Sequence, residues 1–382
     1  MKKRFIEIDI CKAICIILVV IGHSGCPPFI HHFLNLFHMA VFFSASGFCY
    51  SKKHDYEPFK YLLRKIKSIY IPFLIFGLIL SISHNFLLKI NIYTVNPDFL
   101  KLPYGNSAGI IYPYSLNDLF SRFIRIMSFV NTEQLAGATW FLKILFLVSV
   151  FHCFSRYLFI KITKSEKNID IYSILLGIIC LFIGSYFNEK SIHFLFDTQV
   201  FFVSYFAFII GIIFKKIINS LKTDTKISTY FIIVIFSLII LLTYGNKGTL
   251  GVGSNSIINP LFFATMSITG FLFIYSISKI LVKLFYLKYE KFFNLFIFIG
   301  RNTLIILFLH FLAFKVVTLF QILLTNKPFI YLSCFPVADP THGQWIMYVL
   351  AGLTLPLIYQ LIYEKIAYIF KRKLVLLTSR YN

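Results

Sequence analysis

Charge is scarce in this chain, and acid is the scarcest part of it. Its 382 residues carry 15 Asp and Glu against 37 Lys and Arg, and charged residues make up only 14%. A soluble domain runs near one quarter charged, so a water-soluble enzyme is excluded. Seven cysteines are scattered without a CxxC pair, and no HExxH helix signature occurs. Spaced zinc ligands and a disulfide framework are therefore not indicated, and no metal is expected. Only Cys26 and Cys334 fall where they could meet on the outer face. The formal net charge of +22 is not gathered into one patch or arm, so no nucleic-acid partner is expected. Internal duplication, low-complexity tracts and a second soluble domain are also missing, and residues 1–382 read as one transmembrane domain.

Apolar residues are abundant: 58% of the chain is hydrophobic and 19% aromatic. About ten stretches approach the length that crosses a bilayer as a helix. They lie near 8–26, 33–50, 69–90, 139–160, 171–187, 196–214, 228–244, 257–282, 293–320 and 345–370. Connections 51–68, 161–170, 215–227 and 279–291 carry Lys and Arg clusters, whereas 27–32, 188–195, 245–256 and 325–343 are nearly free of them. Both ends are basic, at Met1-Lys2-Lys3-Arg4 and Lys371-Arg372-Lys373. Under the positive-inside rule this predicts an all-α bundle of about ten transmembrane helices, both termini cytoplasmic, multi-pass in the inner (plasma) membrane and surrounded by its lipids. Asp9 and Lys12 interrupt the apolar run behind the basic start, so the first helix is expected to be retained rather than cleaved as a signal peptide.

The long outer segment 91–138 breaks the pattern. Leu116, Leu119, Phe120, Phe123, Ile124 and Met127 recur at helical spacing while Asp118, Arg122 and Arg125 face elsewhere, which predicts a helix lying in the interface. Tyr104, Tyr112 and Tyr114 precede it, either as an aromatic belt or as a platform for a sugar ring.

The first stretch holds an acid, a base and an imidazole inside a would-be membrane helix. Such groups cost several kcal/mol each and usually serve function. The eleven steps from Lys12 to His23 leave them about 20° apart around a helix and roughly 16 Å apart along it, with Asp9 one turn before Lys12 on the same stripe. In this topology His23, His38, Trp140, Lys143 and His310, from four helices, share one layer in the outer half. Asp9, Lys12 and Arg301 lie at the inner ends. Arg301 and His310, nine residues apart, fall on opposite faces of an ideal helix and share a cavity only if the helix breaks near Gly300; Thr303 is better aligned with His310.

Five motifs in order resemble the acyltransferase-3 family of membrane acyltransferases, with the nearest likeness to its fucose-4-O-acetylase-like branch. They are Ile8-Asp9…Lys12…Gly22-His23, then Phe37-His38-Met39-Ala40-Val41-Phe42-Phe43…Ser46-Gly47-Phe48, Arg64…Lys67…Tyr70-Ile71-Pro72-Phe73, Thr139-Trp140-Phe141-Leu142, and Gly300-Arg301-Asn302-Thr303…Leu309-His310. Lys12 stands where many members have arginine, Ala13 replaces a frequent glycine, Ala40 a proline and Thr303 a serine. The resemblance implies acyl transfer, commonly of acetyl, from a cytoplasmic acyl-CoA to a hydroxyl of a cell-surface glycan or its lipid-linked precursor. Acetyl-CoA would be the donor cosubstrate. Arg64, Lys67 and Arg301 would hold its phosphates. His23 would act as general base on the hydroxyl or carry the acyl group briefly, with Lys12 and Asp9 paired below it. His38 and Trp140 would position thioester and acceptor, and His310, Asn302 and Thr303 would add polar contacts to the substrates. The rival reading is a transporter or flippase of polysaccharide precursors, whose intramembrane charges would line a pathway.

Overall fold

A bilayer offers backbone groups no hydrogen-bond partner, so a spanning chain satisfies them within helices or a closed barrel. This computed structural model, which describes residues 5–378 apart from 108, 221–224, 255, 258 and 287, takes the helical solution, with no strand among the described residues. The chain opens with α1 (Ile6–His23), α2 (Pro28–Asn35) and α3 (His38–Phe48). A continuous run follows from α4 (Pro58–Lys65) through a π-helical turn, Ile66–Tyr70, into α5 (Ile71–Lys89). Then come α6 (Leu116–Met127), α7 (Trp140–Thr163), α8 (Ile169–Glu189), α9 (Val200–Ser220) and α10 (Ile227–Thr243). The last four are α11 (Pro260–Phe285), α12 (Glu290–Arg301), α13 (Thr303–Thr325) and α14 (Trp345–Thr378).

Among the described residues, eight helices are long and apolar enough to cross a membrane: the 58–89 run, α7 to α11, α13 and α14. The protein is an all-α integral membrane protein. Three of the ten expected spans differ from this set, each for a local reason. The first, α1, is 18 residues long and carries Glu7, Asp9 and Lys12 in its first two turns. The second is broken. Phe37 leaves helical geometry (φ −147°) and buries its ring against α11, where a Cβ on Gly270 would lie 2.1 Å from its own Cβ. Tertiary packing at Gly270 thus overrides a hydrophobic run that reads as one helix. The ninth breaks at Asn302 (φ −107°, ψ 23°), so α13 alone has spanning length and α12 is a separate amphipathic helix. Its Phe293, Ile297 and Ile299 are buried while Leu295 is exposed. Met1–Arg4, part of the basic start used for the topology, lie outside the described residues.

Close packing holds the centre together. Cβ atoms on Gly47 and Gly211 would lie 1.9 and 1.7 Å from the carbonyls of Phe208 and Ser44, so α3 and α9 touch backbone to backbone, and Ser44 Oγ donates to the Ala207 carbonyl at 2.7 Å. Small residues at helix crossings permit such approach. At the periphery α10 turns Ile232, Phe236 and Ile239 outward, as a lipid-facing stripe requires. The expected interfacial helix is α6. Ser115 caps it reciprocally with Asp118, and Leu116, Phe120, Phe123, Ile124 and Met127 form an exposed apolar stripe, while Ile126 is buried. All seven cysteines are free, Cys26 and Cys334 included.

One end of the bundle is tied by an ionic knot that the basic loops did not announce. Arg156 on α7 is buried and donates to both carboxylate oxygens of Asp55 at 2.8–3.0 Å, to Asp170 at 2.9 Å and to Ser173 at 3.1 Å. Lys216 and Lys52 also reach Asp170. Four segments, the 52–56 turn, α7, α8 and α9, thus converge on one cluster built around Arg156 and Asp170. Removing one partner of such a pair strands a buried charge and costs about 3–5 kcal/mol. Asp55→Ala is therefore expected to lower the thermal unfolding midpoint of the detergent-solubilised protein by several degrees, measured by tryptophan fluorescence. Substitution of exposed Lys60, whose partner Glu57 is also exposed, is expected to leave it in place.

Candidate active site

The polar seam of α1 is one wall of an internal cavity of about 390 Å³. Asp9, Lys12, Ile16, Val19 and His23 all line it, which is the stripe that helical periodicity predicts. Trp140, Phe141, Leu142 and Leu145 of α7 form a second wall, and Met39, Phe42 and Ser46 of α3 a third. Arg301, Thr303, Leu304 and Leu307, from either side of the Asn302 break, close the fourth. That break meets the condition under which Arg301 and residues of α13 share one space. Asn302 itself does not line the cavity; its side-chain amide donates to the Phe298 carbonyl at 2.9 Å and finishes α12.

Two backbone features set the mouth. Gly300 brings α12 onto α1 so closely that a Cβ would lie 2.0 Å from the Asp9 carbonyl oxygen. This contact delivers Arg301 beside Asp9 and Lys12. Opposite, Pro72 has no N–H for the Ser68 carbonyl, and the chain widens into the π turn, with the Ile71 N–H reaching the Ile66 carbonyl. Ser68 and Ile69 of that turn line the cavity. Such turns are frequent at functional sites. Arg64 and Lys67 do not line it: Arg64 is exposed, 3.4 Å from His54 Nε2, and Lys67 is exposed at the rim beside Ser68.

At the other end His23 packs between rings. It stacks on His310 (centroids 5.5 Å, 28°) and meets Phe311 edge-on at 4.9 Å. His310 Nδ1 donates to the carbonyls of Ile306 and Leu307 at 3.0 Å, which fixes its tautomer and ring plane. His38 is buried, and its Nδ1 donates to the Leu34 carbonyl at 2.7 Å. Neither His38 nor His310 lines the cavity, whereas His23 does, and no described residue hydrogen-bonds the His23 ring. The partly exposed His23 ring thus faces the cavity free of hydrogen bonds to described residues. Lys143 is buried outside the cavity.

Sequence reasoning missed several parts. Ser46, Ser68, Ile16, Val19 and Met39 carry no chemical signal of their own, and the cover over Trp140 comes from far away. A Cβ on Gly253 would lie 2.9 Å from the indole, so a turn between α10 and α11 holds that ring in place. Nothing approaches Gly22 within 4 Å of a Cβ, so that glycine brings no second element close to α1. Tyr114 is not an open platform either. Its ring lies on His84 (3.4 Å, 10°), with the Arg122 guanidinium 5.0 Å from its centroid.

A family model described as an acyltransferase domain matches residues 5–363. The chain belongs to the acyltransferase-3 family. No curated protein and no solved structure matches it. Because the match takes in α1 through most of α14, the cavity lies within the family domain, and the protein is a membrane acyltransferase.

The acyltransferase cavity depends on the α1–α12 contact, which gives a direct test. Gly300→Val forces two backbones apart, an overpacking that costs about 1–3 kcal/mol, and carries Arg301 away from Lys12. Acyl transfer in membranes is expected to fall sharply at normal protein level, while Gly22→Ala keeps normal thermal stability.

Proposed function

We propose that the protein is an O-acetyltransferase that moves an acetyl group from cytoplasmic acetyl-CoA to a hydroxyl of a cell-surface glycan or its lipid-linked precursor. One observation carries this reading: a single cavity with two cations and an acid at one end and an open imidazole at the other. At about 390 Å³ it is at the small end of ligand pockets, which run about 300–1,000 Å³. That suits the slender arm of an acyl-CoA with its nucleotide left outside. Arg301 and Lys12 would meet the anionic part of the donor, and the exposed Arg64 before the π turn and Lys67 within it would add to the field drawing it in. Asp9 would offset the charge of Lys12 and Arg301 when no donor is bound.

The thioester then lies toward His23. His23 takes the proton of the acceptor hydroxyl as its oxygen attacks the thioester carbonyl carbon. The C–O bond forms, the C–S bond breaks, and the proton passes from His23 to the departing thiolate. His310 acts as a positioning residue by stacking on His23. The Trp140 and Phe42 side chains keep the walls apolar and limit loss of the acetyl group to water. A carboxylate and two cations at the mouth are consistent with the inner membrane as location, with the basic connections on the cytoplasmic side.

Three measurements test this. Mass spectrometry of surface glycans from a deletion strain and its parent is expected to show the loss of one acetyl mass; no change in any glycan would remove the assignment. His23→Ala, at wild-type membrane levels, is expected to lose roughly 10²–10⁴-fold in transfer, the usual contribution of a general base, with acyl-CoA binding retained. For Lys12 the comparison is affinity. Lys12→Ala is expected to weaken acyl-CoA binding by roughly tenfold or more, as for a lost charge-assisted hydrogen bond, and Lys12→Arg to restore most of it. A transporter would instead move sugar precursors without consuming acyl-CoA.

A further inference from the structure

A second cavity, of about 620 Å³, lies on the far side of the wall that holds Trp140. The segment Gln134–Thr139 is shared: Gln134 and Gly137 line the second cavity, Ala138 and the adjoining Trp140 the first. The other walls are Ser107, residues 110–114, Asp118 and Arg122 of α6, and Phe335. The floor is rigid. Glu133 is buried and accepts hydrogen bonds from His84 at 2.9 Å, Tyr114 at 2.9 Å and Tyr93 at 3.2 Å. Burial pushes its carboxyl up, but these donors outweigh burial and hold it below the usual carboxylate range.

Two rings stand between the cavities. Phe311 touches His23 at 4.9 Å and Phe335 at 4.7 Å between centroids. A Cβ on Gly137 would lie 3.7 Å from Phe335 and 3.8 Å from Phe311, so the shared wall meets both rings at a residue with no side chain of its own. The lining also has a specific chemical character. Asp118 and Arg122 bring both signs of charge, Ser107 adds a hydroxyl, and Tyr112 and Phe335 offer aromatic surface. Gln134 Oε1 is buried with no hydrogen-bond partner, an acceptor whose isolation is costly and which a ligand O–H would satisfy. Mixed donors and acceptors beside aromatic faces suit a ring carrying several hydroxyls, each of which both donates and accepts.

We propose that this second cavity is the acceptor vestibule: it binds a hydroxyl-bearing sugar ring, and the Phe311–Phe335 pair gates the ring's passage to His23. The assignment rests on the acetyltransferase reading above. The sugar hydroxyls pair with Gln134, Arg122 and Asp118, and the displaced Phe335 ring opens the way for one hydroxyl to reach the imidazole. With the vestibule empty, the closed rings keep water from the thioester.

Tyr112 is 69% exposed at the edge of this cavity, so Tyr112→Cys is expected to fold normally. In a deletion strain carrying that variant, a membrane-impermeant maleimide added to intact cells is expected to label the introduced thiol. Incorporation of radiolabelled acetate into surface glycan is then expected to fall roughly tenfold or more, as when one substrate loses its site, while acyl-CoA binding by the labelled, purified protein is unchanged. Complete labelling with undiminished incorporation would overturn the vestibule, and so would a thiol that only broken cells expose. The gate has its own readout: Phe335→Ala is expected to raise hydrolysis of acetyl-CoA by water several-fold, with Phe335→Tyr at the wild-type rate. Equal rates in all three proteins would overturn the gate. If the unmodified strain incorporates no acetate at all, it is the acetyltransferase assignment that fails, and this inference with it.

Discussion

Burying charge away from water is the expense around which this molecule is arranged. An acid, a lysine and an imidazole on one helix face are tolerated in a membrane protein only where other helices or a polar cavity receive them. Here α12 lays its backbone on Asp9 through Gly300, α13 stacks His310 on His23 and sets Phe311 edge-on to it, and α7 and α3 supply the remaining walls. The charged face of α1 is therefore internal, while α10 at the periphery turns Ile232, Phe236 and Ile239 outward. The same cost explains the second polar centre, where Arg156 is matched against two carboxylates instead of being left to one.

Helix irregularities then do the positioning. A straight helix from 293 to 320 would put Arg301 and His310 on opposite faces; the break at Asn302 lets α12 and α13 meet α1 at two different depths. The π turn at Ile66–Tyr70 turns Ser68 and Ile69 to the cavity. The break before His38 frees Phe37 to lock against Gly270 and starts α3 where its Met39, Phe42 and Ser46 line the cavity. Each irregularity gives up regular hydrogen bonding in one turn, and each falls beside the same cavity.

Much of the site was legible because its signals are local. Lys12 and His23 share a face by helical arithmetic, and Trp140 and Thr303 sit in short motifs; all four line the cavity. Depth alone places His38 and His310 in one layer with His23, although only His23 shares the stripe of Lys12 and Asp9. The tautomers of His38 and His310, set by the Leu34, Ile306 and Leu307 carbonyls, and their absence from the cavity lining depend on rotation about the helix axis after packing. Arg64 and Lys67 carry a clear basic signal, yet the residues that reach the cavity from that segment are their neighbours Ser68 and Ile69. A π turn inserts one residue per turn and shifts the face in a way that a 3.6-residue period does not anticipate.

The amino-acid pattern by itself determined the class of the protein, an all-helical membrane domain, and the single seam from Asp9 to His23. These follow from composition, length and periodicity, which act within one helix at a time. Tertiary structure alone decided which histidine stands open, how Arg301 comes to face Lys12, and that a second cavity lies one aromatic pair away from the first. Those outcomes turn on glycine contacts and helix breaks, where one backbone's shape is chosen by its neighbour, and no single segment contains that information.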